Sequence, residues 1–141
     1  LERIPGGVLD GDVVGSVVED WSFVADAGLC DLETRPNFPH SIKLNCFNDG
    51  PKLYIGCMNC DGKLWSSYVA SDPRGRIRIK TKIYPVNLRL LDPGPEMNAG
   101  WNSRLAKVRP GKPVLDIPDG YWMYHLTSSA RKQVQYFLPS A

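Results

Sequence analysis

The chain has 141 residues, 43% hydrophobic and 23% charged, with 17 Lys and Arg against 15 Asp and Glu for a net charge of +2. That length suits one domain able to bury a core without metal or disulfide staples. The near-balance of charge argues against a nucleic-acid protein.

Thirteen glycines and twelve prolines cut the sequence into short pieces rich in β-branched and aromatic residues, the profile of a mostly β domain. Residues 1–11 read as a glycine-rich, flexible lead-in, 12–128 as the domain proper and 129–141 as a tail. A first strand is expected over 12–18. A connector follows over 20–24, with Trp21 and Phe23 as core anchors. Residues 28–34 and 41–47 read as strands separated by 35–40, and a turn at 48–51 leads into a strand over 52–58.

A short helix is expected from Lys63, with Ser66 and Ser67 in its first turn. Asp72-Pro73 stops it, because the residue before proline is pushed out of the α region. The next strand, 75–80, alternates Arg76, Arg78 and Lys80 with Ile77 and Ile79. It pairs with 83–91 as a hairpin in which Ile77 and Ile79 share a face with Tyr84, Val86 and Leu88. Thr81-Lys82 is the expected tip. Residues 95–107 read as a longer helix: Asp92 offers a cap, Pro95 suits the first turn, and Met97, Trp101, Leu105 and Val108 recur at helical spacing. A closing strand is expected over 121–127, and the tail carries an apolar patch at Val134, Tyr136, Phe137 and Leu138. Mostly antiparallel strands with two helices point to a small closed barrel.

The chemistry-bearing residues are few. Cys57-Met-Asn-Cys60 has the spacing of a zinc or redox pair. A structural zinc needs four ligands, yet there is no second such pair and only His40 and His125 to help, so no metal is expected. No His follows Cys60, which excludes the haem-attachment pattern. Gly62 separates the pair from the helix, unlike a thioredoxin-type site. The bland alternative is a pair of small buried residues at a strand end. Cys30 and Cys46 fall opposite each other if their hairpin is centred near Phe38, either as a disulfide or as two adjacent thiols. His40 lies in a polar loop, and His125 reads as a hydrogen-bonded strand residue. Neither a catalytic triad, a Walker loop nor a dinucleotide glycine fingerprint is present. Asp31 and Glu33 share one strand face and read as a solvated face rather than an acid–base pair.

The cations remain: Arg35, Lys43, Lys63, Arg74, Arg76 and Arg78. With Thr34, Ser66 and Ser67 beside a helix start they make an anion site, where a phosphate meets charge-assisted hydrogen bonds and the helix dipole. The alternative is a solvated basic face. Trp65 and Tyr68, on the same helix, either shield a planar ring or belong to the core.

Several of these segments together resemble one family. Glu33-Thr-Arg-Pro36, the run Asn48-Asp-Gly50-Pro-Lys-Leu-Tyr-Ile55, Gly62-Lys-Leu-Trp65, Ala70-Ser-Asp-Pro-Arg74 and the basic strand are similar to the pyridoxamine 5'-phosphate oxidase-like split-barrel proteins. The flavin and deazaflavin reductase branch is the nearest, and the resemblance spans 13–127. It implies a six-stranded antiparallel split β-barrel, a homodimer, and FMN at the subunit interface. Carried over by position, Thr34, Arg35, Lys63, Trp65 and Ser66 would hold the cofactor. The strand leading to Cys57 would run beside its ring, and no catalytic residue is assigned. Related chains carry a membrane segment before a Pro-Gly-rich lead-in such as Ile4-Pro-Gly-Gly7. The start at Leu1 then leads us to expect an upstream anchor and a cell-envelope location. The 80–82 turn lacks the family's glycines, Gly75 stands where valine is usual, and the Cys57–Cys60 spacing is foreign to the family. The expected function is a flavin-binding, oxidoreductase-like protein of unknown substrate. The alternatives are a non-catalytic module of the same fold, holding haem through His40 or His125 or another small anion, and a disulfide-bonded structural envelope domain.

Overall fold

Strand alternation governs the architecture of the computed structural model, which describes residues 6–129. In chain order the elements are β1 (Asp12–Val13), a 3-10 turn (Ser22–Asp26), β2 (Leu29–Thr34), β3 (His40–Asp49), β4 (Lys52–Cys57), α1 (Leu64–Ser71), β5 (Arg74–Ile79), β6 (Lys82–Leu90), α2 (Pro95–Val108) and β7 (Trp122–Ser128). Six strands close an antiparallel barrel in the order β6-β5-β2-β3-β4-β7, with β7 returning to β6, and β1 adds in parallel along β6. The resemblance anticipated this fold: a mostly β chain with two helices and a closed six-stranded split barrel.

Every second side chain points into the barrel. Cys30 and Leu32 of β2, Leu53 and Ile55 of β4, Ile77 and Ile79 of β5, and Tyr84, Val86 and Leu88 of β6 meet there with Trp65 and Val69 of α1. A second apolar layer lies outside, where Met97, Trp101 and Leu105 of α2 cover Phe47, Tyr54, Tyr121 and Met123. Gly100 permits the close approach, since a Cβ there would stand 2.5 Å from the Met123 sulfur.

Several expectations need adjusting. The β5–β6 hairpin pairs Ile77 with Tyr84 and Ile79 with Lys82, so the faces are as expected but the tip is Lys80-Thr81. Lys80 supplies the turn by adopting a left-handed φ of 58°. The β2–β3 hairpin is centred one residue earlier than Phe38: Cys30 faces Leu44, and Cys46 lies diagonally. The two cysteines still share a face and are bonded, with Cα atoms 5.8 Å apart. The first strand shrinks to two residues. Phe23 is 40% exposed, its ring tilted against those of Trp21 and Tyr84. Gly94, not Asp92, caps α2, with no side-chain capping bond, and Val108 is exposed. The tail patch lies outside the described residues.

Asp31 and Glu33 are not a solvated face. The β2–β5 register sets Glu33 against Arg76 and Asp31 against Arg78. The ion pairs close at 2.8 and 2.9 Å, Lys43 adds a third at 2.8 Å to Asp31, and Glu33 is buried. The described part of the lead-in is tied across this ladder. Gly6 exchanges two backbone hydrogen bonds with Ser41, the Leu9 N–H donates to Glu33 at 2.7 Å, and Arg76 and Arg78 donate to the carbonyls of Leu9 and Asp10.

Candidate functional site

Pairing decides which cations can serve a ligand. Arg74 is held by Asp72, Arg76 by Glu33, Arg78 and Lys43 by Asp31, and Arg89 by Glu96. The basic strand is therefore largely neutralised within the fold. Arg35 lies with its guanidinium 4.2 Å from the centre of the Tyr68 ring and donates to the Phe38 carbonyl. Lys63 and Arg104 have no acidic partner among the described residues.

Those two side chains line the same cleft, of about 220 Å³, bounded by β3, β4, the start of α1, α2 and the approach to β7. Lys63 is placed there because it is the extended N-cap of α1. The Ser66 hydroxyl fixes that helix start, lying 2.7 Å from the Cys60 carbonyl and 2.9 Å from that of Lys63. Trp65 forms part of the cleft wall while the rest of its ring packs toward Tyr124 in the barrel, 5.4 Å between centroids. Arg104 reaches in from α2, its guanidinium 5.2 Å from the Trp101 ring and 5.6 Å from the Tyr121 ring. Asn45, Gly56 and Cys57 also line the cleft.

Tyr121 is the unusual member. Its hydroxyl is buried and has no hydrogen-bond partner. It occupies the space that a side chain at Gly56 would fill, since a Cβ there would overlap it. Leaving a buried hydroxyl unmet costs about 1–3 kcal/mol. Burial pushes its pKa up to about 12, so the group stays a proton donor at neutral pH. Two cations with no acidic partner among the described residues are suited to an anion such as a phosphate monoester.

The residues expected from sequence divide. Lys63, Trp65 and Cys57 line the cleft, and Ser66 stands behind Lys63. Thr34 and Arg35 do not line it: Thr34 is buried with its hydroxyl toward the His40 carbonyl, and Arg35 faces Tyr68 on α1. Cys57 is disulfide-bonded to Cys60, with Cα atoms 5.3 Å apart. Neither histidine supports the haem alternative. His40 packs edge-on against Tyr68, and the His125 Nδ1 lies 3.1 Å from an Arg89 donor. Burial lowers the pKa of both. Arg104, Tyr121, Asn45 and Gly56 were not anticipated. The one available signal was Arg104 three residues after Trp101, on the flank of the apolar stripe of α2.

No family model and no curated protein matches the sequence. Solved structures do match. One, from Bacteroides thetaiotaomicron, is provisionally assigned as a 5-nitroimidazole antibiotic resistance protein; it aligns with a TM-score of 0.62 at 8% identity over 90% of this chain and 86% of its own. A second, from Listeria innocua, is provisionally assigned as a pyridoxamine 5'-phosphate oxidase, with a TM-score of 0.58 at 10% identity over 75% of this chain and 87% of its own. An FAD-binding protein from Mesorhizobium loti gives 0.56 at 10% identity over 75% and 84%. This chain therefore has the split-barrel fold of the pyridoxamine 5'-phosphate oxidase-like proteins. Likeness at this identity speaks for the fold; the ligand has to be argued from the site.

Proposed function

We propose that the cleft takes the phosphate end of a flavin mononucleotide and that the protein is a flavin-binding, oxidoreductase-like member of this fold. The observation that carries the reading is that Lys63 and Arg104, both without an acidic partner among the described residues, line the same cleft. Lys63 and Arg104 bind the phosphate, and Trp65 keeps water from one side. Bound flavin would supply hydride and electron transfer. Pockets that enclose a whole ligand run to roughly 300–1,000 Å³, so a 220 Å³ cleft holds one end, and a second copy of the chain is proposed to cover the ring. Arg35, whose guanidinium lies over Tyr68 of α1, is the contact a longer ligand is proposed to meet.

Adding FMN to the purified protein is expected to quench flavin fluorescence and raise the melting temperature. At a hundredfold excess over Kd the stabilisation is about 2.7 kcal/mol. Lys63→Ala and Arg104→Ala should each weaken binding by about 1.5–3 kcal/mol, while Arg35→Ala reads whether the ligand extends past α1. Saturating FMN with neither quenching nor a melting shift would refute the reading. The second reading, a binding module without chemistry, is favoured by the lining itself, which carries no His, Asp or Glu.

A further inference from the structure

Three elements meet at His125. On β7 it stands opposite Arg89 of β6 and Tyr54 of β4 in the sheet register, and the first turn of α2 brings Glu96 to the same place. The four side chains form one network. The Tyr54 hydroxyl donates to Glu96 at 2.9 Å, and Arg89 donates to both Glu96 oxygens at 3.1 Å. The same Arg89 nitrogen lies 3.1 Å from the His125 Nδ1, which is 4.0 Å from a Glu96 oxygen.

A guanidinium only donates and stays charged. At 3.1 Å from it, the His125 Nδ1 has to be the acceptor, so the imidazole is neutral with its proton on Nε2. A proton added at Nδ1 would set two donors and two positive charges face to face. The oxygen within reach of that new donor belongs to Glu96. The member of the network with room to leave is Arg89, 58% exposed against 16% for His125.

We propose that His125 is a proton-operated switch at the seam where β6 and β7 close the barrel. Neutral, it accepts from Arg89; protonated by solvent, it donates from Nδ1 to Glu96, and Arg89 is released. The groups facing the ring set the range. Burial opposes a proton there, as do the charges of Arg89 from β6 and Lys52 from β4, and Glu96 from α2 favours it. The Tyr54 hydroxyl, kept protonated by its own burial, adds no charge. The balance holds the pKa below the ordinary value, so the swap belongs below about pH 6.5. A group depressed in the folded state contributes stability that is complete above its unfolded pKa and is lost as pH falls toward the folded one.

The test is a nitrogen-detected NMR titration of the two histidine rings from about pH 8 to about 5, with His125 assigned by its loss in His125→Gln. We expect the Nε2–H tautomer at the alkaline end, a midpoint below about 6.5, and an Arg89 Nε–H resonance that moves with the same midpoint. Arg89→Gln should raise the midpoint. His125→Gln, which keeps an acceptor but cannot titrate, should flatten the loss of stability that wild type shows over the same range. An Nδ1–H tautomer at the alkaline end overturns the proposal. So does a midpoint at or above about 6.5, or an Arg89 resonance that ignores the titration.

Discussion

Tyr121 and Gly56 form one unit, because the ring occupies volume that any other residue at 56 would claim. Gly56→Ala should destabilise the protein by about 1–3 kcal/mol through overpacking. Tyr121→Phe should recover only part of that loss, because the ring carbon behind the oxygen would still stand 2.5 Å from the new methyl. Alone, Tyr121→Phe should leave stability unchanged or raise it by about 1 kcal/mol, since it deletes an unmet buried hydroxyl. Urea unfolding of the three variants checks both halves. Destabilisation by Tyr121→Phe would show that the hydroxyl has a partner and undo the argument. None of this was legible in the sequence. A glycine in the middle of a strand announces a close approach but not by whom, and Tyr121 reads as an ordinary first residue of a strand. Lys63 was legible, because a cation at a helix start has a local signature; Arg104 reaches the cleft only through the packing of α2.

At the scale of elements, β2 and β5 are joined by charge as well as by backbone. The alternation of Arg76 and Arg78 was plain from the sequence, and so was the shared face of Asp31 and Glu33. That the two faces meet depends on β2 lying beside β5, a non-local pairing that no local pattern encodes. The consequence is a pH dependence. Burial pushes the Asp31 carboxyl up, but hydrogen bonds and charge from Lys43 and Arg78 outweigh it and hold the pKa below the usual carboxylate range. A carboxylate depressed in the folded state contributes stability that is complete above its unfolded pKa of about 3.9 and fades as pH falls through the folded value. The wild type should therefore lose stability below about pH 4, and Asp31→Asn should flatten that acid limb while lowering stability at neutral pH. Unfolding followed from pH 7 to 2 reads both, and an unchanged acid limb in the variant would count against the ladder. The lead-in belongs to the same unit. Deleting residues 1–10 removes the Leu9 N–H from the Glu33 carboxylate and two carbonyls from the arginines. With hydrogen bonds to charged groups worth about 1.5–3 kcal/mol each, the truncated chain should melt well below the full one.

Over the whole molecule, closure of the barrel leaves β6 and β7 paired and no free barrel edge, and the apolar layer under α2 supplies a second core outside it. Such a chain does not need covalent staples to fold, so its disulfides can be assigned by where they lie. Cys30–Cys46 ties two strands of the barrel wall and faces its interior. Constraining a loop of that length is worth about 3 kcal/mol in the chain-entropy account, and a four-residue loop about 2. Both pairs lie in the buried core cluster, so repacking adds to the cost of losing either one, and the longer loop makes the loss of Cys30–Cys46 the larger. We expect Cys30→Ala/Cys46→Ala to lower the guanidinium midpoint clearly more than Cys57→Ala/Cys60→Ala does. FMN affinity should respond in the opposite order, since only Cys57 lines the cleft. Measuring unfolding and binding on both double variants separates a staple from a site. Equal losses of stability and equal losses of affinity would mean that the two bonds play the same part, against everything their positions imply.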